Sequence, residues 1–298
     1  MGRVVTDPSE VAKAISSAPP RPPCARVLMA APEHFSVESA INPWMHDAQG
    51  NLNQVDRARA QAQWEALADA YRRIGVKVDI IDAPAGLPDF CFSANQSLTC
   101  LDRNGQPLAI MSRMASPTRF NEVTYFRDWY AQRDFRVMES PPGLRAFEGT
   151  GDAIRHHGRH VFWGGVGPRT MAQAWEFVGE ATGADVIPLT LVDERYYHLD
   201  TCLAIMGPDT ALYIEEAFDE DSRKRLQTGF TQLIAVDPHD AGNFACNAHC
   251  PDDRHVLIQH GSRVAGTLRE AGFEVLELDT SEFMKSGGSV FCLKQELP

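Results

Sequence analysis

From residue 25 onward, short apolar runs alternate with helix-patterned segments, and that alternation restricts the chain to a mixed α/β architecture. "ARVLMAA" (25–31) reads as a buried strand. Residues 56–74 place Trp64, Leu67, Ala68, Tyr71 and Ile74 on one helical face, and Gly75 supplies the stop. "VKVDII" (76–81) and "PLAIMS" (107–112) are strands. The helix-like "RFNEVTYFRDWYAQ" that follows offers Phe120, Val123 or Tyr125, Phe126 and Trp129 to a core.

The pattern continues through "HVFWG" (160–164) and a helix at "TMAQAWEFVGEAT" (170–182) opened by a Thr cap. Strands at "ADVIPLTL" and "LDTCLAIM" come next, and "ALYIEE" follows. A polar helix at "DEDSRKRLQTGF", a strand at "LIAVD" and a final strand–helix–strand unit lead to a Gly-Cys terminus. A spacing of about sixty residues per unit hints at a repeated architecture, without internal sequence similarity. Residues 1–24, ending in "SSAPPRPPC", read as a flexible N-terminal arm, and residues 25–298 as one domain.

Charge and cysteine usage exclude several functions. A net charge of -12 leaves no basic face for nucleic acid. No apolar run approaches a membrane span, and no basic segment precedes an apolar core at the N-terminus. Seven cysteines, an odd number in a chain without an export signal, argue against a disulfide framework and for a cytoplasmic protein.

Chemistry is expected where polar residues interrupt this apolar pattern. "HFSVESAINPWMH" carries Asn42 and Trp44, and "LPDFCFSANQSLT" carries Asp89 and Asn95. "FEGTGDAI" holds Glu148 and Asp152, and "YYHLDTCLAIM" holds His198 and Asp200. Read as a strand, the last segment puts His198, Asp200 and Cys202 on one side. The closing "SGGSVFCLKQEL" sets Gly287 and Gly288 before Cys292, either a packed thiol or a nucleophile brought up to a pocket. A thiol, a histidine and several acids suit a thiol enzyme whose substrate is cationic, best a planar guanidinium that takes bidentate carboxylate contacts.

Two other stretches compete for attention. "CNAHC" (246–250), flanked by His239 and His255, has loose zinc spacing but no second paired cluster, so no metal is expected. "HHGRH" (156–160) fits a hairpin tip. "WGGVGPRT" offers glycines, but its proline sits where a nucleotide-binding helix would begin.

The order "FEGTGDAI", "YYHLDTCLAIM", "GGSVFCL" resembles the guanidine-modifying superfamily of arginine deiminases, dimethylarginine dimethylaminohydrolases and amidinotransferases. The resemblance runs from about residue 25 to the end. It implies a five-bladed pseudo-symmetric α/β propeller, the pentein fold, working without a cofactor on a small cationic guanidino substrate. Cys292 would be the nucleophile and His198 the acid–base group. Glu148 and Asp200 would clamp the guanidinium. The segment Glu148-Gly149-Thr150-Gly151-Asp152 is one residue longer than the common Glu-Gly-Gly-Asp. That leaves Glu148 or Asp152 as the clamp, with Glu148 preferred.

"EHFSVESAINPWM" and "FSANQ" further resemble the arginine dihydrolase branch, which takes arginine to ornithine, ammonia and carbon dioxide. In that branch Asn42 would serve a second hydrolysis, Asn95 would contact substrate, and Arg119 would hold the substrate carboxylate. Dimethylarginine hydrolysis and amidino transfer stay open as alternatives, as does a non-catalytic binding protein of the same fold. A homo-oligomer is neither required nor excluded.

Overall fold

The computed structural model describes residues 2–298. Among the described residues the strands form five small separate sheets. In four of them a first strand runs antiparallel to a middle one, which runs parallel to a third. These are Gln295–Leu297 with Arg26–Ala30 and Lys77–Ile81, and Ser97–Leu101 with Pro107–Met111 and Arg136–Met138. Ala153–Arg155 with Val161–Val166 and Asp185–Thr190, and Leu203–Ile205 with Thr210–Tyr213 and Gln232–Ala235, repeat the pattern. The fifth pairs His255–Gln259 with Glu274–Leu278, and His249 bridges antiparallel to Leu257.

A parallel pair needs a crossover, and each has a helix between its strands. The five are Arg57–Arg73, Glu122–Ala131, Ala174–Thr182, Glu220–Gly229 and Val264–Glu270. The repeat anticipated from spacing is therefore one of strand order, with no need for similar sequences. The first sheet takes its leading strand from the C-terminus, so Gln295–Leu297 joins the two ends of the chain.

Local chemistry explains the elements. Asp56 caps Arg57–Arg73 by accepting from the Arg59 N–H, and Gly75 leaves the helix at φ +85°. Trp64, Leu67, Ala68 and Tyr71 are buried along the anticipated face. In Glu122–Ala131 the core side is Phe126, Trp129 and Tyr130, whereas Phe120 and Tyr125 are exposed. Thr170 does not cap a helix: Ala174–Thr182 starts later, and the Thr170 hydroxyl donates to Asp152 at 2.7 Å.

Two expectations fail. The N-terminal arm is not free: Pro8–Ser17 is a helix with Pro at its start and an Asp7 cap, and Val5, Val11 and Ala14 are buried in the core. The prolines at 19, 20, 22 and 23 govern only the stretch after it. The segment around His198 is not a strand either. Leu199–Thr201 is a tight 3-10 turn, and Cys202 packs in the hydrophobic core, its thiol turned to the main-chain carbonyls of His198 and Leu199.

Candidate active site

Two tight turns of the same kind carry the acids and the histidine. Gly149–Gly151 stands before the strand Ala153–Arg155, and Leu199–Thr201 before Leu203–Ile205. Gly149 has φ +58°, and a Cβ there would lie 2.3 Å from the Ser97 carbonyl oxygen, so only glycine fits. Asp152 ties the turns together, accepting from the Leu199 N–H at 2.9 Å and from Thr170.

Glu148 is fully buried and takes three donors: the Ala115 N–H at 2.8 Å, Arg169 Nη1 at 3.0 Å and His198 Nε2 at 2.8 Å. Burial would raise its pKa, but Arg169 and His198 outweigh that and hold it well below the usual carboxylate range. This corrects the preference for Glu148 as guanidinium clamp. Its carboxylate is occupied as the partner of His198, which leaves His198 Nδ1 with no partner among the described residues. Burial raises Asp152 to about 6.

Cys292 is 2% exposed, and its Sγ lies 3.1 Å from Asp200 Oδ2 and 3.1 Å from Asn247 Nδ2. Burial pushes the thiol well above its ordinary value, with the Asp200 charge adding to it, and raises Asp200 to about 7. The second oxygen of Asp200, Oδ1, has no partner among the described residues. A thiol donating to a carboxylate is the resting form that this geometry favours. A cation beside the pair would stabilise the thiolate.

The glycines of the closing segment serve this cysteine. Gly287 has φ +88°, and a Cβ on it would meet Asn42 Oδ1 at 2.8 Å and the Tyr197 hydroxyl at 2.9 Å. Tyr197 donates to the Gly287 carbonyl at 2.7 Å, and Asn42 Nδ2 donates to the Ser286 carbonyl at 3.0 Å. Asn42 also caps the short turn Pro43–Met45 through the Trp44 N–H. Close approach is thus a fact of the structure, made to side chains that frame the cysteine.

Asn95 Oδ1 accepts from Arg119 Nη1 at 2.8 Å, while its Nδ2 has no partner among the described residues. Arg119 is held by Glu122 through Nε and Nη2 and by the Asp89 carbonyl, so a single N–H of its fork stays uncommitted. Asn42, Asn95, Arg119, Arg169, Tyr197 and Cys292 line one small cavity, with free space of about 10 Å³, room for about one water. The structure therefore brings together Cys292, His198, Glu148, Asp200, Asp152, Asn42, Asn95 and Arg119 in a contiguous network.

Sequence reasoning missed Asn247 and Arg169. Asn247 Oδ1 accepts from the N–H groups of Ser289 and Cys292, and its Nδ2 reaches the Asp200 carbonyl and Cys292 Sγ. It lies inside "CNAHC", whose cysteines belong to the apolar core. Arg169 lies inside "WGGVGPRT". Both stretches break the apolar pattern with a polar residue, which was the available signal. They were weighed against zinc and nucleotide chemistry instead.

Fold and site together define an α/β protein with a buried thiol–carboxylate pair and a carboxylate-held histidine, suited to a small cationic substrate. The family model described as N,N dimethylarginine dimethylhydrolase, eukaryotic, matches residues 31–297, and the chain belongs to that family. It is 35% identical over 270 residues to the bifunctional arginine dihydrolase/ornithine cyclodeaminase ArgZ of Synechocystis sp., covering 90% of this chain and 37% of that protein. The chain thus spans little more than a third of such bifunctional relatives. It is 36% identical over 291 residues to the N(G),N(G)-dimethylarginine dimethylaminohydrolase of Mycobacterium tuberculosis, covering 97% and 92% of the two chains. The crystal structure of the substrate-bound N-terminal domain of ArgZ, an arginine dihydrolase, superposes with a TM-score of 0.84 at 34% identity, covering 90% of this chain and 96% of that one.

Proposed function

We propose that this protein is a thiol hydrolase of the guanidinium group of arginine, acting as an arginine dihydrolase. The observation that carries the reading is the Cys292–Asp200 pair at 3.1 Å, with the free Nδ1 of His198 supplied by the neighbouring turn. The five sheets are read as the blades of a pentein propeller, with residues 25–298 as one catalytic domain and the N-terminal helix packed on it. Seven buried, unpaired thiols fit the reducing cytoplasm, and among the described residues no helix is long and apolar enough to cross a membrane.

In this reading Asp200 takes the thiol proton and its unpartnered Oδ1 faces the guanidinium, while Asp152, engaged by Leu199 and Thr170, supports the turn that carries His198. Cys292 Sγ attacks its central carbon. His198, protonated and held by Glu148, gives a proton to the departing ammonia, which breaks one C–N bond and leaves a thiouronium on Cys292. Water, deprotonated by the same imidazole, adds to that carbon and the C–S bond breaks, giving citrulline. A second passage breaks the remaining bonds to nitrogen. The sum is arginine and two waters to ornithine, two ammonia and carbon dioxide. The unpartnered Nδ2 of Asn95 and the uncommitted N–H of Arg119 are the donors left for the substrate.

Mass spectrometry of products from arginine, from dimethylarginine, and from arginine with glycine tests the proposal. Ornithine with ammonia from arginine is expected. Citrulline from dimethylarginine alone would replace the reading with dimethylarginine hydrolysis, which the likeness to the mycobacterial protein favours. Guanidinoacetate would mean amidino transfer, and no turnover would leave a binding protein. Asn42→Ala is expected to release citrulline from arginine in place of ornithine, and unchanged products would remove Asn42 from the second step.

A further inference from the structure

Arg155 ends the strand Ala153–Arg155 and is 7% exposed. Its Nη1 donates to Glu296 at 3.0 Å, while Nε and Nη2 have no partner among the described residues. Those two N–H groups form the edge of the guanidinium that makes a side-on, two-bond fork to a carboxylate. Leaving a charged donor edge buried and unpaired is costly, so it points to a partner.

Charge around this edge is out of balance. Arg21 and Arg155 both reach Glu296, and Lys294, fully buried, stands 3.9 Å from the same carboxylate. His249 bonds Glu296 at 3.1 Å, but burial pushes its imidazole down to about 4, so it is neutral near pH 7. The Cys24 thiol, pushed up by burial to about 12, supplies no anion. Three cations thus reach one carboxylate, with Asp252 and Asp253 the further acids on the rim of the smaller adjoining cavity. Cys24, His249 and Glu296 lie close enough to ligate a metal ion, yet a further cation would deepen this surplus.

Arg155 also borders open space. Arg21, Pro22, Pro23 and Arg155 line two neighbouring cavities of about 190 and 420 Å³. The larger has an apolar wall that includes Pro19, Pro20, Leu101 and Leu297. The other charged side chains that line it have partners. Arg26 pairs with Asp79, Arg103 donates to the Glu180 carbonyl, and Asp102 is held by Arg136 and by the N–H groups of Asn104 and Gln106.

We propose that this is a second ligand site, for a small organic carboxylate with an apolar body. The carboxylate sits on Nε and Nη2 of Arg155 beside Arg21, and the body lies along the proline–leucine wall. No residue of the Cys292 cavity takes part, so the site stands whether or not the arginine reading does.

The test is thermal unfolding and calorimetric titration of the full chain with hexanoate, acetate, inorganic phosphate and hexyltrimethylammonium at constant ionic strength. Hexanoate is expected to bind saturably and to raise the midpoint by roughly 5 °C at a hundredfold excess over Kd, with acetate weaker and the cation silent. Arg155→Met should abolish the response while arginine turnover and the fold persist. Leu101→Trp, which fills the larger cavity and leaves the charge alone, should weaken hexanoate far more than acetate. No saturable binding of any anion, or a hexanoate response unchanged in both variants, overturns the proposal. Equal responses to acetate, phosphate and hexanoate overturn the apolar-bodied class. Should Arg155→Met fail to fold, Leu101→Trp and the ligand series decide alone.

Discussion

The strand Ala153–Arg155 has opposite chemistry at its two ends. Before it stands Asp152, among Glu148, His198 and Asp200; at its last residue stands Arg155, beside Arg21 and Glu296. The C-terminal segment repeats the contrast, with Cys292 at the acidic end and Glu296 at the basic one. Burial is similar at both, and only the sign of the surplus differs. Each end sheds part of its surplus by shifting protons: Asp152 and Asp200 rise to about 6 and about 7, and Lys294 falls to about 8, with burial the largest cause in each. A low-dielectric pocket with unspent charge selects a ligand of the opposite sign, so one strand presents a cation site and an anion site.

The comparison breaks most sharply at the thiol. Cys292→Ser should lower arginine turnover by at least about 10⁴-fold while the thermal midpoint stays close to wild type, because one atom's chemistry is lost and little volume. Turnover surviving the exchange would end the covalent mechanism. His198→Ala should lower turnover by about 10³-fold, because one imidazole both protonates the departing ammonia and activates the water that clears Cys292. Turnover within about tenfold of wild type would put the imidazole's role elsewhere.

Asn247→Ala should cost about 10²-fold in kcat together with about 1–3 kcal/mol of stability, since it frees the N–H groups of Ser289 and Cys292 and loosens Sγ. Full activity in a destabilised variant would make Asn247 a scaffold only. The smallest effect is on pH dependence. Asp200 must be ionised to accept the thiol proton, and a raised pKa means that it protonates as pH falls through about 7. The kcat/KM for arginine should therefore fall up to about tenfold per pH unit below that point, and Arg155→Met should leave the profile in place. A flat profile from pH 8 to pH 5 would contradict the assigned proton acceptor.

Much of this molecule was legible in order and period. Trp64, Leu67, Ala68 and Tyr71 could be assigned to one face because a helix repeats every 3.6 residues, and that period is local. The acid turn, the His-x-Asp segment and the terminal Cys could be singled out because each motif is short, and the structure brings them together. Residues 8–17 were misread because nearby prolines outweighed the Asp7–Pro8 cap, and the burial of Val11 and Ala14 depends on what the helix packs against.

By itself, then, the sequence determined the α/β alternation, the helix faces and the residue types that could serve a guanidinium. Tertiary structure decided how they are used. It gave His198 to Glu148, 50 residues earlier, and so withdrew Glu148 from the clamp. It set Asn247 under Cys292 and gathered Arg21, Arg155, Lys294 and Glu296 into one buried cluster. Pairings across 45 to 275 residues leave no local period to read, because they exist only once five sheets have been packed together.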